Sequence, residues 1–147
     1  MSDKTKVISA LERLLADSYT LYLKTHSYHW NVTGPMFTTL HTLFETQYTE
    51  LALAVDEIAE RIRALGAPSP GSYSQFVEHA KVKEDTTVPP AQDMIRNLVA
   101  DAETVVAGAR DVVRAAEQAG DDASGDLGVR RIEVHEKNAW MLRSHLE

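Results

Sequence analysis

The sequence predicts an all-α protein: a bundle of four long helices, with a short extra helix in a long connection between the second and third. Three observations carry this. Four long segments repeat their apolar positions at steps of three and four. Between them stand turn-forming clusters: Gly34-Pro35, the stretch from Gly66 to Gly71 with Pro68 and Pro70, Pro89-Pro90, and the stretch from Gly120 to Gly125. No run of β-branched residues alternates between turns, so strands are not expected.

The first helix is expected from about Lys4 to Asn31, with residues 1–6 as a short leading segment. Val7, Leu11, Leu14, Ser18, Tyr22, Thr25 and His29 fall on one stripe, which places His29 on the buried side. The second is expected from Pro35, a residue suited to a first helical position, to Leu65, with Gly66 as its stop. A short helix from Tyr73 to Ala80 fits the long connection, which must cross from one end of the bundle to the other. The third, Ala91–Ala119, should bury Met94, Leu98, Val105, Val112 and Ala116. The fourth, Ser124–Leu146, carries Leu127, Ile132 and an end, Trp140-Met141-Leu142, in which Trp140 is expected in the core. Four long helices joined by one long crossover are the plan of a ferritin-like bundle.

A chain of 147 residues is expected to form a single domain, 1–147. With 44% hydrophobic and 25% charged residues it has the balance of a soluble globular protein. It has no cysteine, so disulfides and thiolate metal sites are excluded. Any metal would be held by His, Asp, Glu or water. No stretch is apolar enough to span a membrane or resembles a signal peptide, and a soluble, cytoplasmic protein is expected. The formal net charge of −7 should repel phosphate polyanions.

The chemistry gathers around HWNVTGPMFTTLH, residues 29–41. On a helical wheel of the second helix, Phe37, Phe44, Tyr48, Leu51, Val55, Ile58 and Ile62 form the core face. His41, Glu45, Asp56 and Glu60 form a separate stripe beside it, away from the solvent face that holds Glu50 and Glu57. These four make two pairs at i, i+4, each close enough to share a cation. The pairs lie fifteen residues apart, about 22 Å along a straight helix, so one chain cannot bring them together. A second copy, antiparallel across a two-fold axis near Glu50 and Leu51, can set His41 and Glu45 of one chain against Asp56 and Glu60 of the other. The Gly34-Pro35 corner would bring His29 to the same place. Imidazole and carboxylate without sulfur suit iron, manganese or zinc. The plainer alternative is a pair of packed core histidines beside solvated carboxylates. His26 reads as packed or supporting, and His79, His135 and His145 as surface or structural.

The stretch HWNVTGPMFTTLH, followed by LFETQYTELALAVDEIAERIRALG, resembles the Dps family of mini-ferritins. The similarity extends through DMIRNLVADAE and HEKNAWMLRSHL and covers nearly the whole chain. It implies a hollow homo-dodecamer with a two-iron ferroxidase site at each two-fold dimer interface. By position, His29, His41 and Glu45 would come from one subunit, with Asp56 and Glu60 from its partner. Iron(II) would be oxidised, preferably by hydrogen peroxide, and stored as ferric mineral, protecting against oxidative damage; zinc or manganese could compete. Trp30 matches a nearby aromatic that takes up stray oxidising equivalents, although a tryptophan there could equally be core. Asp122 and Asp126 fall where the family lines an iron-entry pore, and capping the fourth helix is the alternative role. The family often has Asp where this chain has Glu45. No Glu is followed by His three residues later, which removes the intrachain site of larger ferritins. DNA binding is not expected, because residues 1–6 carry few lysines and no basic tail is present. A non-enzymatic DNA-protecting shell with structural metal is the rival reading, and a metal-free helical interaction module a third.

Overall fold

The computed structural model describes residues 1–147. It consists of α1 (Asp3–Asn31), α2 (Phe37–Ala64), α3 (Tyr73–His79), α4 (Ala91–Ala119) and α5 (Asp122–Arg143), followed by a 3₁₀ turn over Ser144–Leu146. There is no strand. The short helix lies in the long crossover, as the sequence predicts.

The helix limits differ from expectation where side chains cap the backbone. Ser2 accepts a hydrogen bond from the Thr5 amide, so α1 begins at Asp3 and absorbs most of the expected leading segment. The chain turns through Gly34, whose φ of +104° favours glycine, and the Phe37 amide donates to the Gly34 carbonyl at 3.0 Å. Pro35 therefore lies inside a turn, and α2 starts at Phe37. Asp121 caps α5 by accepting from the Ser124 amide at 3.0 Å, so this helix starts at Asp122, before the expected Ser124.

The core is a single apolar cluster contributed by all four long helices. Leu11, Leu14, Phe44, Ile58, Val105 and Val112 are among its fully buried members. At about 25 cal/mol per Å² of apolar surface removed from water, these stripes supply the main drive for assembly. The α4–α5 pair packs closely enough to need Gly128, where an added Cβ would meet Val113 Cγ2 at 2.9 Å and the Ala109 carbonyl at 3.1 Å. Trp140 is not in this core. It is 61% exposed, because its position on α5 points away from the bundle while Ala139 and Leu142 turn inward.

The sides of the bundle differ in chemistry. Between α2 and α5 runs a polar seam of three arginine–carboxylate contacts. Arg61 bonds Asp121 and Ser124, Arg130 bonds Glu57 at 2.6 Å, and buried Arg131 grips both oxygens of Glu50 at 2.5 and 2.9 Å. Glu50 and Glu57, expected on a solvated face, are thus tied to the neighbouring helix.

The crossover is fastened to α1 by polar contacts. Buried Asp17 accepts from the amides of Lys81 and Val82, and Lys24 Nζ donates to the Lys83 carbonyl. The Tyr28 hydroxyl donates to Asp85 at 2.6 Å. Hydrogen bonds from the Thr87 side chain, Tyr28 and the Thr87 amide lower Asp85 to about 2, while burial pushes the Tyr28 hydroxyl well above the usual phenol range. These ties hold the end of α1 that carries His29.

Candidate metal centre

The α1–α2 hairpin stacks the His29 and His41 rings, with centroids 3.8 Å apart and planes 14° from parallel. Each ring bonds the other's backbone. His29 Nδ1 lies 2.6 Å from the His41 carbonyl oxygen, and His41 Nδ1 lies 2.7 Å from that of His29. A carbonyl can only accept, so both Nδ1 atoms must carry the proton. In the neutral rings both Nε2 lone pairs are consequently free, the tautomer a metal-binding histidine needs. The bond from His41 also satisfies the His29 carbonyl, which lies in the last turn of α1 where regular pairing ends.

Glu45, one turn beyond His41, brings Oε1 to 3.7 Å from His29 Nε2, with its side chain 58% exposed. His29 is buried, His41 half-buried and Glu45 exposed, so the group forms a shallow recess opening to the surface. Phe37, placed on the core face by its wheel angle, is 42% exposed and stacks on His41 at 5.0 Å. It is too near the start of α2 to be covered by the bundle.

Asp56 and Glu60 do not join this group. Both are exposed, form no side-chain hydrogen bond or ion pair, and remain about 22 Å along α2 from His41 and Glu45. Within one chain no three His, Asp or Glu side chains converge as a metal site would require. The structure therefore sets His29, His41 and Glu45 side by side without closing them around one point, and leaves Asp56 and Glu60 on the same face of α2 without partners.

Among the other candidates, Trp30 is 59% exposed, which overturns its reading as a core residue. Its ring lies 4.0 Å from His26, which in turn stacks on Tyr48 at 4.1 Å. His26 is therefore a packed neighbour of the site, and burial, followed by the charge of His29, lowers its pKa. Tyr48 stands edge-on to His29 at 5.1 Å, and desolvation, Glu45 and Tyr22 raise its hydroxyl pKa. Asp122 is exposed in the first turn of α5, and Asp126 bonds Arg130 at 3.1 Å, so its charge is partly matched inside the chain. The capping role falls to Asp121. His79 is exposed, and His145 Nδ1 bonds the Met141 carbonyl. His135 is fully buried, with its Nε2 accepting from Arg131 at 3.1 Å. Burial, with the charge of Arg131, lowers it to about 3.

Sequence reasoning missed the Glu50–Arg131–His135 cluster, although Arg131 and His135 stand at i, i+4 on an otherwise apolar stripe. It also missed the grouping of Tyr19, Tyr22 and Tyr48 beside the histidines. The spacing held a signal: Tyr22 lies seven residues before His29 and Tyr48 seven after His41, which sets them level in an antiparallel hairpin.

Comparison with known proteins identifies the family of this chain. Residues 8–147 match the model of the ferritin-like domain. The chain is 44% identical over 143 residues to an uncharacterised low temperature-induced protein of Nostoc, covering 96% of this chain and 80% of that one. It is 36% identical over 141 residues to DNA protection during starvation protein 2 of Bacillus anthracis, covering 96% and 97%. The crystal structure of a Dps protein from Vibrio cholerae, described as a member of a broad superfamily of ferritin-like diiron-carboxylate proteins, superposes with a TM-score of 0.94 at 35% identity, covering 99% of this chain and 91% of that one.

Proposed function

The chain belongs to the Dps family of ferritin-like proteins, and on that premise we propose that it is a ferroxidase that oxidises iron(II) between subunits and stores the ferric product in a dodecameric shell. The observation that carries this reading is the split constellation. Two imidazoles are locked with Nε2 free beside Glu45, and Asp56 and Glu60 wait on the same helix without partners. A two-fold axis near Glu50 and Leu51 supplies each half-site with the carboxylates of the other copy. Hard carboxylates favour iron(III) over iron(II), so the assembled site favours the oxidised ion.

The residues divide the work. His29 and His41 hold iron(II) by neutral nitrogen. Asp56 and Glu60 of the second copy supply the charge that binds it firmly. Glu45, exposed and one methylene longer than the commoner Asp, reaches towards a second, weaker iron position. With hydrogen peroxide as oxidant, two iron(II), one peroxide and two protons give two iron(III) and two water molecules. Iron and peroxide are thereby removed together, which is the protective act. Zinc or manganese would occupy the same donors and compete. Asp122 and Asp126, repeated around a three-fold axis, would draw cations towards the cavity. DNA is not a partner in this reading, because twelve copies multiply the net charge of −7 and direct contact with phosphate is unfavourable at physiological salt.

The test is anaerobic loading of the purified protein with iron(II), followed by a stoichiometric pulse of hydrogen peroxide. Rapid ferric absorbance, with iron retained at the size of the shell, is the expected result. Oxidation at the protein-free rate, with precipitation, would contradict the reading.

A further inference from the structure

The buried stripes of α1, α2 and α5 are each interrupted by polar side chains at the same depth in the bundle. Ser18 stands between Leu14 and Leu21, Gln47 between Phe44 and Leu51, and Arg131 with His135 between Leu127 and Leu142, all of them buried. Their level follows from the contacts between helices. α2 and α5 run antiparallel, since Arg61 bonds Ser124 and Glu50 bonds Arg131. Three residues back along α2 from Glu50 is Gln47, and four on along α5 from Arg131 is His135, so these two also come level. In the α1–α2 hairpin Tyr22 meets Tyr48, which sets Ser18 level with Ala52. From Gln47 to Ala52 is about 7.5 Å of helix, so the four side chains share one layer at mid-bundle.

Each of the four has a buried polar atom that no protein group satisfies: Ser18 Oγ, Gln47 Nε2, Arg131 Nε and His135 Nδ1. Nη1 and Nη2 of Arg131 are taken by Glu50, and Nη2 also donates to His135 Nε2. A ring nitrogen that accepts carries no proton, so neutral His135 holds its proton on Nδ1. The layer therefore presents three unpaired N–H donors and one hydroxyl. Buried donors left without an acceptor are strongly disfavoured, and here they are gathered rather than scattered. From outside, a recess of about 290 Å³ between α4 and α5, walled by Ala102, Val106 and Ala139, reaches His135.

We propose that this layer is an internal hydration site for two water molecules, entered through the α4–α5 recess. Three N–H donors need three lone pairs, one more than a single water offers. Two waters offer four: three take the N–H groups, and the fourth takes the hydrogen bond that joins the waters. A further water hydrogen goes to Ser18 Oγ. An anion fits less well. The charge of Arg131 is already matched by Glu50, so a second negative charge would be unpaired in the bundle interior. The waters hold Arg131 at the nitrogen that Glu50 leaves free, and so help to keep the α2–α5 seam closed at its middle. The site lies within one chain and does not depend on the iron chemistry.

The test is a crystal structure of the full-length protein grown in sodium bromide, at a resolution that shows ordered water. Two peaks without anomalous signal are expected within hydrogen-bond distance of Arg131 Nε, His135 Nδ1 and Gln47 Nε2. Anomalous scattering at either peak would reveal a halide site and overturn the proposal, as would a layer without density. Gln47→Leu keeps much of the side chain's bulk but has no donor. It should lose one of the two peaks while Glu50 and Arg131 stay paired. Both peaks unchanged in that variant would overturn the assignment of Gln47 to the site.

Discussion

The two ends of α2 present candidate ligands in opposite states of preparation. At one end, His29 and His41 are stacked, fixed in tautomer by each other's carbonyls, and set beside Glu45. At the other, Asp56 and Glu60 are exposed and bonded to nothing in their own chain. An imidazole can offer Nε2 as a ligand only if the proton is on Nδ1, and the fold fixes both rings in that form. Carboxylates accept from either oxygen and need only be held in place by their helix. In the proposed intersubunit site the difference means that one side is preorganised by the fold and the other is bare charge, with assembly supplying the rest.

The sharpest way to break this comparison is to remove one residue from each end. Asp56→Asn should lower the fast iron oxidation by at least about tenfold, a loss comparable with that of weakening a metal's supporting shell. Thermal stability should change by less than about 0.5 kcal/mol, as for a surface residue without contacts. His29→Ala should lose oxidation as fully and also destabilise the chain by about 1 kcal/mol, because a buried ring that stacks on His41 and donates a hydrogen bond to its carbonyl is removed. Stopped-flow absorbance and calorimetry read the two effects separately. Equal stability losses at both ends would contradict the difference in preparation.

A second contrast concerns the walls of the bundle. Glu50→Ala strands Arg131, which is 3% exposed, and should cost about 3 kcal/mol in chemical denaturation. Glu57→Ala releases only the exposed Arg130 and should cost no more than about 1 kcal/mol. On the tightly packed side, Gly128→Ala should cost about 1–3 kcal/mol through the close contact with Val113 and the Ala109 carbonyl.

The remaining expected effects are in pH dependence, and they separate two windows. His135 is lowered from 6.5 to about 3 in the folded chain, so the unfolded chain binds its proton first. Its contribution to stability is complete above pH 6.5 and falls away towards pH 3. Asp85 is lowered from 3.8 to about 2, so its contribution is complete above pH 3.8 and falls away towards pH 2. His135→Gln should flatten the first window and Asp85→Asn the second, as followed by denaturation midpoints against pH.

Much of this was legible in the sequence because it depends on period and spacing. Ala91–Ala119 was readable to its ends, since Gly120, at φ +66°, stops the helix where the apolar stripe does. The level placement of His29 and His41 follows from a corner at Gly34-Pro35. Less legible were features set by neighbours in space. Trp140 carries the most apolar of labels but sits on a face that no helix of its own chain covers. Glu50 and Glu57 read as solvated until α5 brings Arg131 and Arg130 beside them. Pro35 had the right chemistry for a first helical residue, yet the turn hydrogen bond from Phe37 to Gly34 takes that place.

The measurement that tests the shared site most directly is complementation between two inactive variants. His29→Ala and Asp56→Asn would be assayed for peroxide-driven iron oxidation separately, and again after coexpression or unfolding and reassembly together. Separately, each should lack the fast phase. Mixed at random, about a quarter of the sites should combine an intact histidine half from one chain with an intact carboxylate half from the other, restoring about a quarter of the wild-type amplitude. A mixture as inactive as its components, though assembled together, would show that each site is built from one chain and would contradict the account.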